Sequence, residues 1–149
     1  TLQLPIEDKH LRTRSEFVDD LSVLLGGFVS EKLVFSELTT GATNDLMKSS
    51  ELARNLVMHY GMSEKIGPIT FGHTGEMVFL GRELGERVHY SEKIASEIDT
   101  EVSKFIQDAY KVTEKILTEK RHKLDQIAAK LIKDETIEKE EFEELMKKA

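Results

Sequence analysis

A mostly α fold is predicted, and three features of the sequence predict it. Apolar residues recur every three or four positions over most of the chain. Capping residues stand where those stripes begin, and glycine gathers in one internal stretch. The chain of 149 residues has 39% hydrophobic content, enough for one compact core. Residues 1–149 are therefore expected to form a single domain, with a first part over 1–89 and a second over 90–149.

Thr1 to Leu4 is β-prone and stopped by Pro5, which suits a short N-terminal strand remnant. Ile6 to Arg12 reads as a loop. Thr13 and Glu16 have capping-box spacing, and the helix after them places Phe17, Leu21, Leu24, Leu25 and Phe28 on one face. Gly26 and Gly27 fall inside this pattern at about 1 kcal/mol each relative to alanine, so close approach of another backbone is expected there rather than a helix end. The face resumes with Lys32, Leu33 and Phe35.

A second helix is expected over Asn44 to Tyr60, capped by Thr43, with Leu46, Ala53, Leu56, Val57 and Tyr60 on its apolar side. Gly61 is its left-handed terminator. Met62 to Val88 reads as an ordered glycine-rich loop with at most a small hairpin. From Ser91 the pattern is helical again, through Ile94, Ile98, Val102, Phe105, Ala109, Val112 and Ile116. That stripe fits either a coiled-coil partner surface or packing within the domain, and the second is the simpler reading. Leu124, Ile127, Leu131 and Ile132 continue it. A last helix is expected from Thr136, with Glu138 in its first turn and Lys147 and Lys148 at its end.

The net charge of −7 argues against nucleic-acid binding and against adhesion to anionic membranes. No cysteine is present, which excludes disulfides and thiolate chemistry and fits a reducing compartment. No apolar run approaches the roughly 20 residues of a membrane helix, so direct membrane insertion by this segment is not expected. Thr1 in place of methionine points to a piece of something longer.

His10, His59, His73, His89 and His122 include no pair four residues apart, so no helix offers a two-imidazole metal clamp. Each reads as an ordinary surface or boundary histidine. Gly81 to Gly85 lacks phosphate-loop spacing and reads as a turn. Glu138, Glu140, Glu141, Glu143 and Glu144 lie among lysines on a solvated helix face. Asp45 differs in context: it follows Thr39-Thr40-Gly41 and opens a helix. A carboxylate there is either a helix-start residue favoured by the dipole or a metal ligand. Spacing favours the first.

The run Leu33-Val34-Phe35-Ser36-Glu37-Leu38-Thr39-Thr40-Gly41-Ala42-Thr43-Asn44-Asp45-Leu46 closely resembles the FtsH-type ATP-dependent zinc metalloproteases. So do Gly61-Met62-Ser63-Glu64-Lys65-Ile66-Gly67-Pro68, Phe79-Leu80-Gly81-Arg82 and Ile98-Asp99-x-Glu101-Val102, in order. The opening Gln3-Leu4-Pro5 with Glu7-Asp8 matches the family segment that follows the active-site helix.

The resemblance implies a helical peptidase-domain fragment of a membrane-anchored, homo-hexameric AAA+ protease on the cytoplasmic side of the bacterial inner membrane. It implies zinc as the catalytic metal, with ATP and magnesium in a separate ATPase module, and protein substrates. Zinc in that family is held by the two histidines of His-Glu-x-x-His and by an aspartate that corresponds to Asp45. The histidines and the catalytic glutamate would lie before Thr1. The resemblance therefore implies one metal ligand and no catalytic residue here, and a segment that alone neither holds zinc nor cleaves peptides. A non-catalytic helical scaffold derived from the same fold is the alternative.

Four positions depart from the family run Gly-Gly-Arg-Ala-Ala-Glu-Glu: Val29 and Ser30 stand for its alanines, and two further changes alter charge. Phe28 stands for the arginine and Lys32 for the second glutamate.

Overall fold

The computed structural model describes residues 11–71 and 90–147. Among them are six α-helices and one short 3₁₀ turn, with no strand. The expected strand at Thr1–Leu4 and most of the glycine-rich loop, including the turn at Gly81 to Gly85, lie outside the described residues. The part of that loop that is described, up to Phe71, is turn, bend and irregular chain.

Helix α1 (Arg14–Leu24) begins with the expected capping box. The Glu16 N–H donates to Thr13 Oγ1 at 3.3 Å, and the Thr13 N–H donates to Glu16 Oε2 at 2.7 Å. Phe17 and Leu21 face inward. The helix stops at Leu25, whose ψ of −9° leaves the helical range and whose N–H reaches both Leu21 and Val23 carbonyls. Helix α2 (Gly26–Phe35) then starts directly.

The glycine pair thus marks a helix junction, which corrects the expectation of a close backbone approach. A Cβ built on Gly26 or Gly27 would meet nothing within 4 Å among the described residues. Glycine's low helix propensity, rather than its small size, is what matters here.

Helix α3 (Thr43–Met58) buries Ser49, Ala53, Leu56 and Val57. Gly61 ends this stretch at φ +60°, as its position predicts. A Cβ there would stand 3.4 Å from Pro68 Cα, an ordinary van der Waals contact, so it is the left-handed φ that calls for glycine. Helix α4 (Glu92–Glu119) is capped by Ser91, whose Oγ accepts the Ile94 N–H at 3.4 Å.

The α4 stripe holds through Ala109 and then departs from expectation. Val112 and Ile116 are 45% and 48% exposed, whereas Thr113 is buried. The four-residue step from Phe105 to Ala109 continues to Thr113, because its hydroxyl bonds the Ser22 carbonyl of α1 at 2.9 Å. The stripe as far as Ala109 packs within this chain.

Phe17, Leu21, Leu25, Val29, Ala53, Leu56, Val57, Ile98, Phe105 and Ala109 form one core shared by α1 to α4. A buried polar pair accompanies it. Glu101 is 5% exposed, and its Oε2 accepts the Ser63 hydroxyl at 2.6 Å. The same Ser63 oxygen takes the Ile66 N–H at 3.2 Å, so the chain after Gly61 is tied to α4 from inside.

Helices α5 (Arg121–Asp134) and α6 (Lys139–Lys147) pack on each other, α5 also touches α4, and neither buries an apolar side chain. The α5 stripe is consequently open at its end, with Leu131 and Ile132 exposed. The last helix starts at Lys139 rather than Thr136, with Glu140 and Glu141 in its first turn. The Glu138 N–H donates to the Glu141 carboxylate at 3.3 Å just ahead of it, so the acidic side chain three residues on sets the start.

Candidate metal-ligand turn

Between α2 and α3 the chain must reverse and restart a helix within a few residues. Ser36 makes the first bend at φ 54°, with its N–H on the Lys32 carbonyl at 3.1 Å. Arg121 Nη1 donates to the Leu33 carbonyl at 3.0 Å, satisfying another helix-end acceptor. Thr39 is extended, and its Oγ1 accepts the Gly41 N–H at 3.0 Å, which opens the 3₁₀ turn Thr40–Ala42.

Glu31 of α2 locks this turn from one side. Its carboxylate accepts the Thr39 N–H and the Thr39 hydroxyl, both at 3.1 Å. The clamp crowds Gly41: a Cβ there would lie 3.1 Å from Glu31 Oε1 and 3.2 Å from Thr39 Oγ1, so those side chains would have to give way. Sequence reasoning missed Glu31. Its partner lies eight residues away across a bend, and only a fixed turn brings the two together.

Thr43 is not the cap that its position predicts. It is the first residue of α3, and its hydroxyl donates backward to the Thr40 carbonyl at 2.7 Å. Thr39 does the capping one short turn earlier, because the 3₁₀ turn runs straight into α3.

Asp45 then stands in the first turn of α3. No side-chain cap bond is made at that terminus, so Asp45 is not spent on capping. Its side chain is 49% exposed, with Lys48 Nζ at 3.9 Å. An exposed ion pair at that distance contributes little and leaves the carboxylate available.

A carboxylate oxygen is an ordinary zinc donor, so Asp45 fits one position of a tetrahedral site. It fits no more than one. No group of three or more His, Cys, Asp or Glu side chains that could hold a metal occurs among the described residues. His59 lies at the far end of α3, about 20 Å along the axis from Asp45 at 1.5 Å per residue. Its Nδ1 is 2.8 Å from Asn55 Oδ1. His122 is exposed on α5, and His10, His73 and His89 lie outside the described residues.

Phe28 and Lys32, two of the departures from the family run, converge on one side chain. The Phe28 ring meets the Tyr110 ring edge-on at 6.4 Å between centroids. Lys32 Nζ donates to Tyr110 Oη at 2.8 Å.

Comparisons with known proteins give this helical frame its relatives. The family model of peptidase family M41 matches residues 1–145. The chain is 47% identical over 145 residues to the ATP-dependent zinc metalloprotease FtsH 1 of Thermoanaerobacter sp., covering 97% of this chain and 24% of that protein. It is 44% identical over 147 residues to the ATP-dependent zinc metalloprotease FtsH of Pseudothermotoga lettingae, covering 99% of this chain and 24% of the relative. FtsH 2 of Alkaliphilus metalliredigens is 48% identical over 143 residues, with 96% and 21% covered.

These matches define a peptidase-domain segment of FtsH type. The chain belongs to peptidase family M41. It spans about a quarter of the length of the curated relatives it matches. No helix among the described residues is long and apolar enough to cross a membrane.

Proposed function

We propose that residues 1–149 form the C-terminal portion of the peptidase domain of an ATP-dependent zinc metalloendopeptidase, and that Asp45 is one of its zinc ligands. The observation that carries this reading is the state of Asp45. It is half-exposed, uncommitted to a cap, and set at the exit of a turn braced by Glu31, Thr39 and Gly41.

Zinc, when bound, supplies Lewis-acid activation of water and of a peptide carbonyl. This chain's residues have a narrower task. Asp45 offers one oxygen donor, and the Glu31 clamp fixes where that oxygen stands. The remaining donors and the general base come from outside the chain, in the His-Glu-x-x-His motif that the resemblance implies. On this reading the segment alone neither retains zinc nor cleaves peptides. The whole protein acts on protein substrates as a homo-hexamer coupled to an AAA+ module, which consumes ATP with magnesium on the cytoplasmic side of a bacterial inner membrane.

The test is Asp45→Asn in the intact protein. Zinc affinity falls by more than about 100-fold, beyond what loss of an outer-shell partner costs. Degradation of an unfolded protein substrate stops, and ATP hydrolysis continues. Unchanged zinc content and unchanged degradation would return Asp45 to a simple helix-start role.

A further inference from the structure

Helix α2 carries two tasks on neighbouring residues. Glu31 holds the ligand turn through Thr39, and Lys32 holds α2 itself against α4. The second contact is a chain of hydrogen bonds: Lys32 Nζ donates to Tyr110 Oη at 2.8 Å, and Tyr110 Oη donates to Glu114 Oε1 at 2.9 Å. Phe28, one helical turn before Lys32, closes on the Tyr110 ring edge-on. Tyr110 thus meets α2 with both its hydroxyl and its ring.

The consequence is geometric. A side-chain tip lies about 5–6 Å from a helix axis, so a roll of only about 10° moves the Glu31 carboxylate by about 1 Å. Functional groups need their places kept to about 0.5 Å. Whatever sets the roll of α2 on α4 therefore sets the position of the turn that leads to Asp45.

We propose that Phe28, Lys32 and Tyr110 form a seat that fixes the roll of α2, and that they are positioning residues for the metal ligand Asp45, acting through Glu31 and the Thr39–Gly41 turn. The proposal rests on the reading of Asp45 as a zinc ligand. It gives Phe28 and Lys32 one joint purpose, since both end on the same tyrosine. Arg121, bonded to the Leu33 carbonyl, steadies the last turn of the same helix.

The experiment measures zinc affinity by chelator competition in the intact protein, beside its thermal unfolding. Tyr110→Phe keeps the ring and removes the hydroxyl; Lys32→Met keeps the stem and removes the ammonium. Each is expected to weaken zinc binding by about three- to tenfold. That is less than the roughly 10–100-fold cost of a lost outer-shell partner, because these residues act one contact further out. Lys32→Arg restores a donor to Tyr110 and recovers the affinity. If Lys32→Met does not fold, Tyr110→Phe and Lys32→Arg carry the test.

Unchanged zinc affinity in Tyr110→Phe, while Asp45→Asn loses zinc, would overturn the seat and leave the ligand reading standing. A lowered melting temperature with unchanged zinc affinity would overturn it too, since that is what packing alone gives. If Asp45→Asn itself keeps its zinc, both readings fall.

Discussion

The α1–α4 frame and the α5–α6 pair carry comparable apolar periodicity and are held by different forces. In the frame the stripes meet: Leu21, Leu25, Val29, Leu56, Val57 and Ile98 are fully buried against one another. In the α5–α6 pair the contacts are charged. Lys123 Nζ donates to the Leu145 carbonyl at 2.6 Å, and Lys130 Nζ bonds Asp134 at 2.8 Å and pairs with Glu141 at 3.2 Å. Ile132, by contrast, is 85% exposed. An apolar stripe becomes a stabilising force only where a second stripe covers it, and periodicity alone does not say where that happens.

The largest expected difference tests burial. Leu56→Ala removes a fully buried side chain from the centre of the frame and should cost about 2–5 kcal/mol. It should appear as faster hydrogen exchange across α1, α3 and α4. Ile132→Ala should cost under about 0.5 kcal/mol, as exposed substitutions do. Similar losses from both would erase the distinction between the two regions.

A smaller effect tests the buried pair of Ser63 and Glu101. Ser63→Ala leaves the Glu101 carboxylate buried without its donor, at about 1–3 kcal/mol. Adding Glu101→Met removes the stranded acceptor, so the double variant should be more stable than Ser63→Ala alone. Additive losses in denaturant unfolding would show that the pair is not a unit.

The smallest effect concerns the charged contacts of the α5–α6 pair and depends on pH. The Asp134 hydrogen bond first, and the Glu141 one next, raise Lys130 above the usual lysine value of 10.5. A raised lysine contributes fully below its unfolded pKa, and that contribution disappears as pH climbs through the folded one. Methyl NMR between pH 9 and pH 12, values chosen to bracket that ordinary 10.5, should therefore show Leu145 losing its environment before Leu56. Lys130→Met should remove the pH-dependent part, and simultaneous loss at both methyls would contradict it.

What was legible in the sequence was local. Thr13 with Glu16, Ser91 and Gly61 each act within four residues of themselves, and each does what its spacing predicts. Errors arose where a distant partner decides. The α4 stripe turns toward Thr113 because α1 presents the Ser22 carbonyl, ninety-one positions earlier in the chain. The burial of Glu101 on the same helix likewise has its partner on a separate segment, at Ser63. At the candidate site, Asp45 and the threonine–glycine turn were visible, whereas Glu31 needed the fold. The Gly26–Gly27 pair is ambiguous in the sequence, because glycine serves both close approach and helix interruption and its spacing is the same in either case.

Arg14 shows how closely these parts constrain one another. Its Nε donates to the Met62 carbonyl at 3.0 Å, its Nη1 stands 3.6 Å from Glu64, and its guanidinium lies 5.1 Å from the centre of the Phe105 ring. One side chain thus joins α1, the segment after α3, and α4. Substitutions at positions 14, 64 and 105 should then be epistatic, each one's effect depending on which residues already occupy the other two. During divergence such a trio changes in a restricted order, and a replacement harmless in one relative can be damaging when moved alone into another.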